Sequence, residues 1–363
     1  MLIARSPVRI SFGGGGTDLP AYYEQFGGAV LSTAIDKYFY TVLRKRDDGF
    51  IQVISSDLRK LETWKDIQSL ALKGTDLEIP LAVLRELNCN VSVDLFLASE
   101  IPPGTGLGSS AAVCVNVLKL MSSYTKQELS RYALAERAYH IARNILSNPV
   151  GKQDEYAAAF GGLNYIQFHQ DGTATVEPIL MASDLMRELQ SSLMLFFTGA
   201  AHNSWDILKH QEDSTKKNAG LAVTALHEIR ELAGTMRDAL RKGELDRFGE
   251  LLHVGWEAKK RVSAKISTSH IDDLYEMARR HGAIGGKITG AGGGGFMLLY
   301  VRPGDQQAVR DAFAAKGLRQ MVFGFDRDGA QVIINDPFLD SDSQTGMCWD
   351  FIPYDSALAA RSV

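Results

Sequence analysis

The amino-acid sequence predicts an α+β protein of two domains. Three observations carry that expectation. Strand-like and helix-like stretches are segregated rather than alternating as regular βαβ units. Three clusters stand out among the 34 glycines, and the hydrophobic rhythm changes near residues 175–190. A chain of 363 residues also suits two domains at ~150 residues each. The expected division is 1–180 and 181–363.

Val8-Arg9-Ile10-Ser11-Phe12 alternates as a strand does, and so do residues 39–43, 50–54 and 91–95. Ala111 to Met121 reads as an apolar helix directly after the second glycine cluster. Residues 126–146 predict a longer amphipathic helix, with Thr125 as N-cap and Glu128 three residues on. Leu163 to Phe168 is strand-like and ends at Gln170-Asp171-Gly172. In the second half Leu193 to Phe197 reads as a buried strand, followed by helical patterns over 203–217, 218–242, 245–264 and 270–281. A strand over Phe296–Val301, a helix over 305–316 and a strand pair near 319–324 and 330–334 complete the pattern. From Asp336 the tail is polar and reads as irregular. No internal repeat is present.

Composition excludes several classes. Hydrophobic residues at 45% and charged residues at 23% supply enough apolar material for sizeable cores, so the chain is neither disordered nor a disulfide-held mini-protein. A net charge of −4 gives no global basic field for nucleic acid or anionic lipid. Cys89, Cys114 and Cys348 lie far apart without CxxC spacing, which fits a reducing compartment. Residues Met1 to Pro7 carry no apolar stretch of signal-peptide length, and no run approaches a membrane span. A cytoplasmic protein without nucleic-acid or membrane partners is expected. The eight histidines form no HxH or HExxH pattern, which argues against a transition-metal enzyme, and no GxSxG elbow is present.

The chemistry is concentrated in the glycine clusters. In Ile101-Pro102-Pro103-Gly104-Thr105-Gly106-Leu107-Gly108-Ser109-Ser110-Ala111-Ala112, every second residue from 104 to 108 is glycine and a helix follows. Inward amides and the positive helix end together suit phosphates. Ser109 and Ser110 place hydroxyls where an N-cap or a hydrated Mg²⁺ would use them. A plain strand–turn–helix with a serine cap accounts for the same residues, and no P-loop lysine is present. Gly290-Ala291-Gly292-Gly293-Gly294-Gly295 formally satisfies GxGxxG, but a strand rather than a helix follows it, so a dinucleotide fold is rejected. Gly13 to Gly16 are flanked by Arg9 and Thr17-Asp18, where Arg9 could neutralise phosphate charge and Asp18 could accept from sugar hydroxyls. A salt-bridged arginine and a turn aspartate are the plainer readings. Asp154 near a helix start is either a first-turn acid or a general base, and Glu136 is either a solvated charge or a metal-facing one.

Taken in order, Ser6-Pro7-Val8-Arg9-Ile10-Ser11-Phe12 through Thr17-Asp18, Pro103 to Ala112, and Lys287-Ile288-Thr289-Gly290 to Phe296 resemble the three motifs of the GHMP small-molecule kinases. The Gly13–Gly16 run with Thr17-Asp18-Leu19-Pro20, together with Gly151-Lys152-Gln153-Asp154, is most similar to the branch acting on D-glycero-D-manno-heptose 7-phosphate. Galactokinase-like members carry Gly-Glu-His before the Thr-Asp, where Gly14-Gly15-Gly16 stand here. The resemblance implies an N-terminal ribosomal-protein-S5-domain-2-like domain and a C-terminal ferredoxin-like domain with extra helices. It implies ATP and Mg²⁺ as cofactors and phosphorylation of an anomeric hydroxyl, in the making of nucleotide-activated heptose for surface polysaccharide.

By the same resemblance Asp154 and Arg9 are catalytic, and Pro103, Gly104, Thr105, Gly106, Leu107, Gly108, Ser109, Ser110 and Ala111 hold ATP. Ser110 and Glu136 are the implied metal ligands. Gly14, Gly15, Gly16, Thr17, Asp18, Lys152, Gly290, Ala291 and Gly292 are the implied contacts to the sugar phosphate. Lys152, Lys259, Lys260, Lys265 and Lys287 are candidates for the acceptor's own phosphate. The rivals are a kinase for fucose, arabinose or galactose, and a catalytically silent sugar- and ATP-binding regulator. A homodimer is compatible with the resemblance, though no residue demands it.

Overall fold

The computed structural model describes residues 1–67, 72, 74–89, 91–199, 204–216 and 220–336. The polar tail beyond Asp336, with Cys348, lies outside the described residues. The chain opens with β1 (Leu2–Gly13), α1 (Pro20–Phe26), β2 (Gly28–Lys45), β3 (Ile51–Ser55), β4 (Lys60–Trp64), α2 (Glu78–Glu86) and β5 (Val93–Ser99). It continues through α3 (Ser109–Tyr124), α4 (Arg131–His140), α5 (Gln153–Phe160), β6 (Leu163–Phe168) and β7 (Ala174–Pro178). Then follow α6 (Ser183–Ser192), β8 (Leu193–Phe197), α7 (Ser204–Lys216), α8 (Gly220–Lys242), α9 (Leu245–Val262) and α10 (Ser269–Arg280). The last elements are β9 (Ala283–Ile288), β10 (Phe296–Val301), α11 (Gln306–Ala314) and β11 (Gln331–Asn335).

β2 organises the first sheet because its 18 residues reach past any one neighbour. Its first third pairs with β6 and its last third with β5, while β1 runs antiparallel along its other edge. The eight strands run β11-β1-β2-β5-β3-β4, with β6 and β7 branching from β2. Among the described residues, β3 and β5 form the one parallel pair. From Ser6 to Gly13, β1 is buried, wedged between α3 and α5 and the later helices α8 and α9. Phe12 on β1 and Phe248 on α9 meet edge to face at 5.2 Å, so one core spans both halves of the sequence. A second sheet, β8-β10-β9, is antiparallel. A separate core gathers on it around Trp256, Tyr275 and the Phe196–Phe313 pair.

Three expected elements differ. The helix anticipated over 126–146 begins later, at Arg131, with Ser130 as the N-cap accepting from Ala133 N at 3.2 Å. Thr125 instead closes α3, its hydroxyl donating back to Met121 O, and Lys126 at φ +58° breaks the continuation. The last turn of that stretch, Ile141–Ile145, widens into a π-helix. The segment 319–324 forms a single bridge from Gln320 to Phe196 at the edge of β8, not a strand. Residues 331–335 do form a strand, but it returns to the first sheet beside β1.

Candidate active site

Arg9 projects from buried β1 and is only 3% exposed. Its Nε and Nη2 donate to Asp154 Oδ1 and Oδ2, both at 2.8 Å, and Nη1 donates to Gly106 O at 2.7 Å. The fork geometry fixes the carboxylate as well as neutralising it. Asp154 lies in the first turn of α5, where an acid is favoured by the helix dipole. Arg9 therefore ties three segments together, since its own N–H also donates to Leu107 O at 2.9 Å.

The loop before α3 holds Gly104, Gly106 and Gly108 at φ of +74°, +82° and +77°, a region L side chains rarely enter. Gly108 occupies the N-cap and no side chain caps the helix, so its first amides are left for a ligand. Ser109 and Ser110 are the first two helical residues and face the cavity rather than capping. The third glycine cluster docks onto this loop. A Cβ on Gly106 would lie 2.5 Å from Thr289 O, and one on Gly290 would lie 2.7 Å from Gly106 Cα. Phe296 N also donates to Thr105 O at 3.2 Å.

In the first cluster, Gly14 is packed against Ala29, and Thr17 Oγ1 donates to Gly14 O and Ala29 O. Asp18 is 3% exposed. Its Oδ1 accepts from Gly16 N at 2.8 Å and Gln153 Nε2 at 3.2 Å, and its Oδ2 accepts from Gln153 N at 3.2 Å. Burial, and then the charge of Asp154, push its carboxyl above the usual range. Its first task is thus to brace the loop against α5.

These loops surround a cavity of about 360 Å³. Arg9, Asp154, Gly15, Gly16 and Asp18 line it. So do Pro103, Gly104, Gly106, Gly108, Ser109, Ser110 and Ala111 from the second loop, and Gly290 and Ala291 from the third. Thr105 and Leu107 point inward instead, Thr105 Oγ1 donating to Pro102 O and Leu107 entering the core. Gly14 and Thr17 shape the loop from behind, and Gly292 packs on Ile266. An adjoining cavity of about 530 Å³ shares Ile79, Pro103, Ser109, Ser110 and Trp205, and its far wall is built from Leu58, Leu97, Ile101 and Val113.

Glu136 and Lys152 are not brought to this cavity. Lys152 Nζ donates to both Glu136 oxygens at 2.8 and 2.9 Å and to Gly172 O at 2.5 Å, and Tyr156 OH donates to Glu136 Oε1. The ammonium is also stacked over the Tyr139 ring at 5.0 Å. The pair is satisfied within itself, so Glu136 is corrected as a metal ligand and Lys152 as a sugar contact. The cavity carries a different carboxylate. Glu155, 2% exposed, lines it and leaves Oε2 buried without a partner. Burial, with Asp154 next, raises its carboxyl well above the usual range. Nothing in one dimension marks this residue, because Glu155 stands beside Asp154 ahead of three alanines and reads as an ordinary first-turn acid. Gln153, Lys259 and Trp205 also line the cavity, and of these only Lys259 stood among the candidates.

Two family descriptions match the chain: GHMP kinases N terminal domain over residues 77–162 and GHMP kinases C terminal over 236–318. The D-glycero-alpha-D-manno-heptose 7-phosphate kinase of Campylobacter jejuni is 29% identical over 334 residues, covering 90% of this chain and 97% of that protein. A crystal structure of a D-glycero-D-manno-heptose 1-phosphate kinase from Bacteroides thetaiotaomicron superposes with a TM-score of 0.77 at 28% identity, covering 93% of this chain and all of the other. The L-fucokinase/L-fucose-1-P guanylyltransferase of Bacteroides fragilis is 26% identical over 84% of this chain but only 35% of its own length.

Proposed function

The chain belongs to the GHMP kinases, and from that premise we propose that it transfers the γ-phosphoryl group of ATP to the anomeric hydroxyl of D-glycero-D-manno-heptose 7-phosphate, giving the 1,7-bisphosphate and ADP. The observation that carries this reading is the Arg9–Asp154 ion pair, held against the amide-rich loop before α3 in one cavity. The near end-to-end likeness to a heptose 7-phosphate kinase favours the acceptor. A fucokinase reading has weaker support, because that relative matches over about a third of its length.

The nucleoside fits the adjoining cavity with the apolar far wall, and the triphosphate crosses the shared rim at Ser109 and Ser110. Amides at the start of α3 and the helix dipole receive the phosphates. Asp154 accepts the proton of the anomeric hydroxyl while that oxygen bonds to Pγ and the Pγ–O bond to ADP breaks. Arg9 orients Asp154 and offsets the negative charge beside it. The docking of residues 289–295 on the phosphate loop fixes its shape from the other side.

Mg²⁺ is implied by the chemistry, and the residues present fit it. Ser110 Oγ and the orphaned carboxylate of Glu155 line the same cavity, and a hard cation held by one or two protein oxygens plus phosphates is the usual arrangement. When bound it neutralises the phosphate oxygens. Ser110 and Glu155 would hold it, in place of the Ser110–Glu136 pair.

The test is ³¹P NMR of the protein with Mg-ATP and a panel of heptose 7-phosphate, mannose 6-phosphate, galactose, fucose and arabinose. A new anomeric phosphate signal with heptose 7-phosphate alone is the expected result. Turnover only with an unphosphorylated sugar would keep the kinase and remove the heptose acceptor.

A further inference from the structure

We infer that Lys259 on α9, bonded to Gln211 of α7 and to the Gly15 carbonyl, recognises a phosphate already carried by the acceptor sugar. The inference rests on the kinase reading above and supplies what that reading lacks, a countercharge for the second anion. Of the five candidate lysines, Lys152 is spent on Glu136, Lys260 pairs with Glu257, and Lys265 is exposed and does not line the cavity. Lys287 is buried behind the loops, reaching only Phe12 O at 3.4 Å. Lys259 lines the cavity.

An ammonium has three donors, and Lys259 uses two, to Gly15 O at 2.9 Å and Gln211 Oε1 at 3.2 Å. Among the described residues it forms no ion pair, although it is only 6% exposed. Burying a cation without a counterion is unfavourable, and burial lowers Lys259 to about 8 and Lys287 to about 7. Asp18 is the acid whose charge Lys259 feels, but its oxygens already accept from Gly16 and Gln153.

The neighbouring groups are in the same condition. Gln211 gives its oxygen to Lys259 and leaves Nε2 buried without an acceptor, 2.1 Å from where a Cβ on Gly16 would lie. Ser11 Oγ is likewise buried and unpartnered, 3.5 Å from a Cβ position on Gly15. Lys259 from α9, Gln211 from α7 and Ser11 from β1 thus each keep donor capacity without an acceptor beside Gly15 and Gly16, and of the three Lys259 lines the cavity. Gln153 Oε1, an orphaned acceptor 4.0 Å from the Cβ position on Gly15, suits a sugar hydroxyl. A phosphate dianion satisfies such a donor set and the lysine charge together, whereas a neutral sugar satisfies neither.

Two measurements test this. In the first, kcat/KM is measured for heptose 7-phosphate and for unphosphorylated heptose with wild type and Lys259→Met, with melting and AMPPNP binding as folding controls. The ratio of phosphorylated to unphosphorylated acceptor should fall about 10- to 100-fold, as expected for losing a hydrogen bond to a charged group. In the second, the Lys259 Nζ resonance of AMPPNP-saturated wild type is followed against pH, with and without inorganic phosphate. Its midpoint should rise by about one pH unit when the dianion binds. Equal losses for both acceptors, or an Nζ resonance indifferent to phosphate, overturn the inference. If wild type turns over neither acceptor while Nζ responds, the kinase reading falls and the anion site stands.

Discussion

Replacing Asp154 by Asn removes a charge and one of two acceptors without changing shape. Arg9 is 4% and Asp154 29% exposed at the side chain, and the two share a pair of 2.8 Å bonds. The Asn amide keeps one oxygen for Arg9 and turns an NH₂ toward its other donor. One charged hydrogen bond is lost, at about 1.5–3 kcal/mol. The partial exposure of Asp154 draws the figure toward the lower bound. At about 2–4 °C per kcal/mol for a domain of this size, melting should drop by roughly 3–8 °C. The chemical step should suffer more, with kcat falling about 10²- to 10⁴-fold if Asp154 takes the proton. AMPPNP binding, which relies on the loop amides, should persist. Scanning calorimetry, nucleotide titration and ³¹P-detected turnover separate the three effects. Wild-type turnover in this variant would refute the base assignment, and an unchanged melting temperature would refute the energetic importance of the ion pair.

Gly106→Ala combines a positive φ with a Cβ 2.5 Å from Thr289 O, adding about 1–2 kcal/mol of backbone strain to about 1–3 kcal/mol of overpacking. A calorimetric transition unchanged from wild type would disprove the loop interlock. Glu155→Gln should weaken Mn²⁺ binding in the presence of ADP about tenfold by EPR, yet leave the metal-free protein at least as stable, because a carboxyl whose ionisation burial already disfavours is replaced by a neutral amide of the same shape. Undiminished Mn²⁺ affinity would return the metal site to other oxygens. The KM for a phosphorylated acceptor should rise as pH climbs through about 8. Below that midpoint the Lys259 ammonium meets the dianion and above it the neutral amine does not, with Asp18 favouring the charged form and the neighbouring Lys287, lowered to about 7, already mostly neutral. A KM that stays flat across that range would count against the assignment.

Much of this was legible in the sequence, for identifiable reasons. Glycine clusters mark backbone that approaches something closely, and the structure puts the second cluster against the third and both beside Arg9 and Asp154. Period-two alternation located β1, and an unbroken apolar run located β10, because both strands are buried. What failed were side chains whose partners come from afar. Lys152 and Glu136 look available in one dimension, but the path from α4 to α5 brings them together with Tyr156. Glu155 is unremarkable in sequence because its isolation is a property of the packing around α5. The Thr125 cap failed because Lys126 adopts a left-handed backbone that propensity does not anticipate.

The return of β11 to the sheet has a consequence for biosynthesis. Leu2 to Arg5 of β1 pair on one side with β2 and on the other with Gln331 to Asn335, and the Met1 ammonium donates to Asp336 O. β1 thus waits for a strand made long after it. From the end of β2 at Lys45 to Asn335 the ribosome adds 290 residues, which at 5–20 residues per second takes about 15–60 s. Throughout that interval the nascent sheet presents an unpaired edge able to recruit a strand from another chain. Truncation before Gln331 makes that vulnerability permanent.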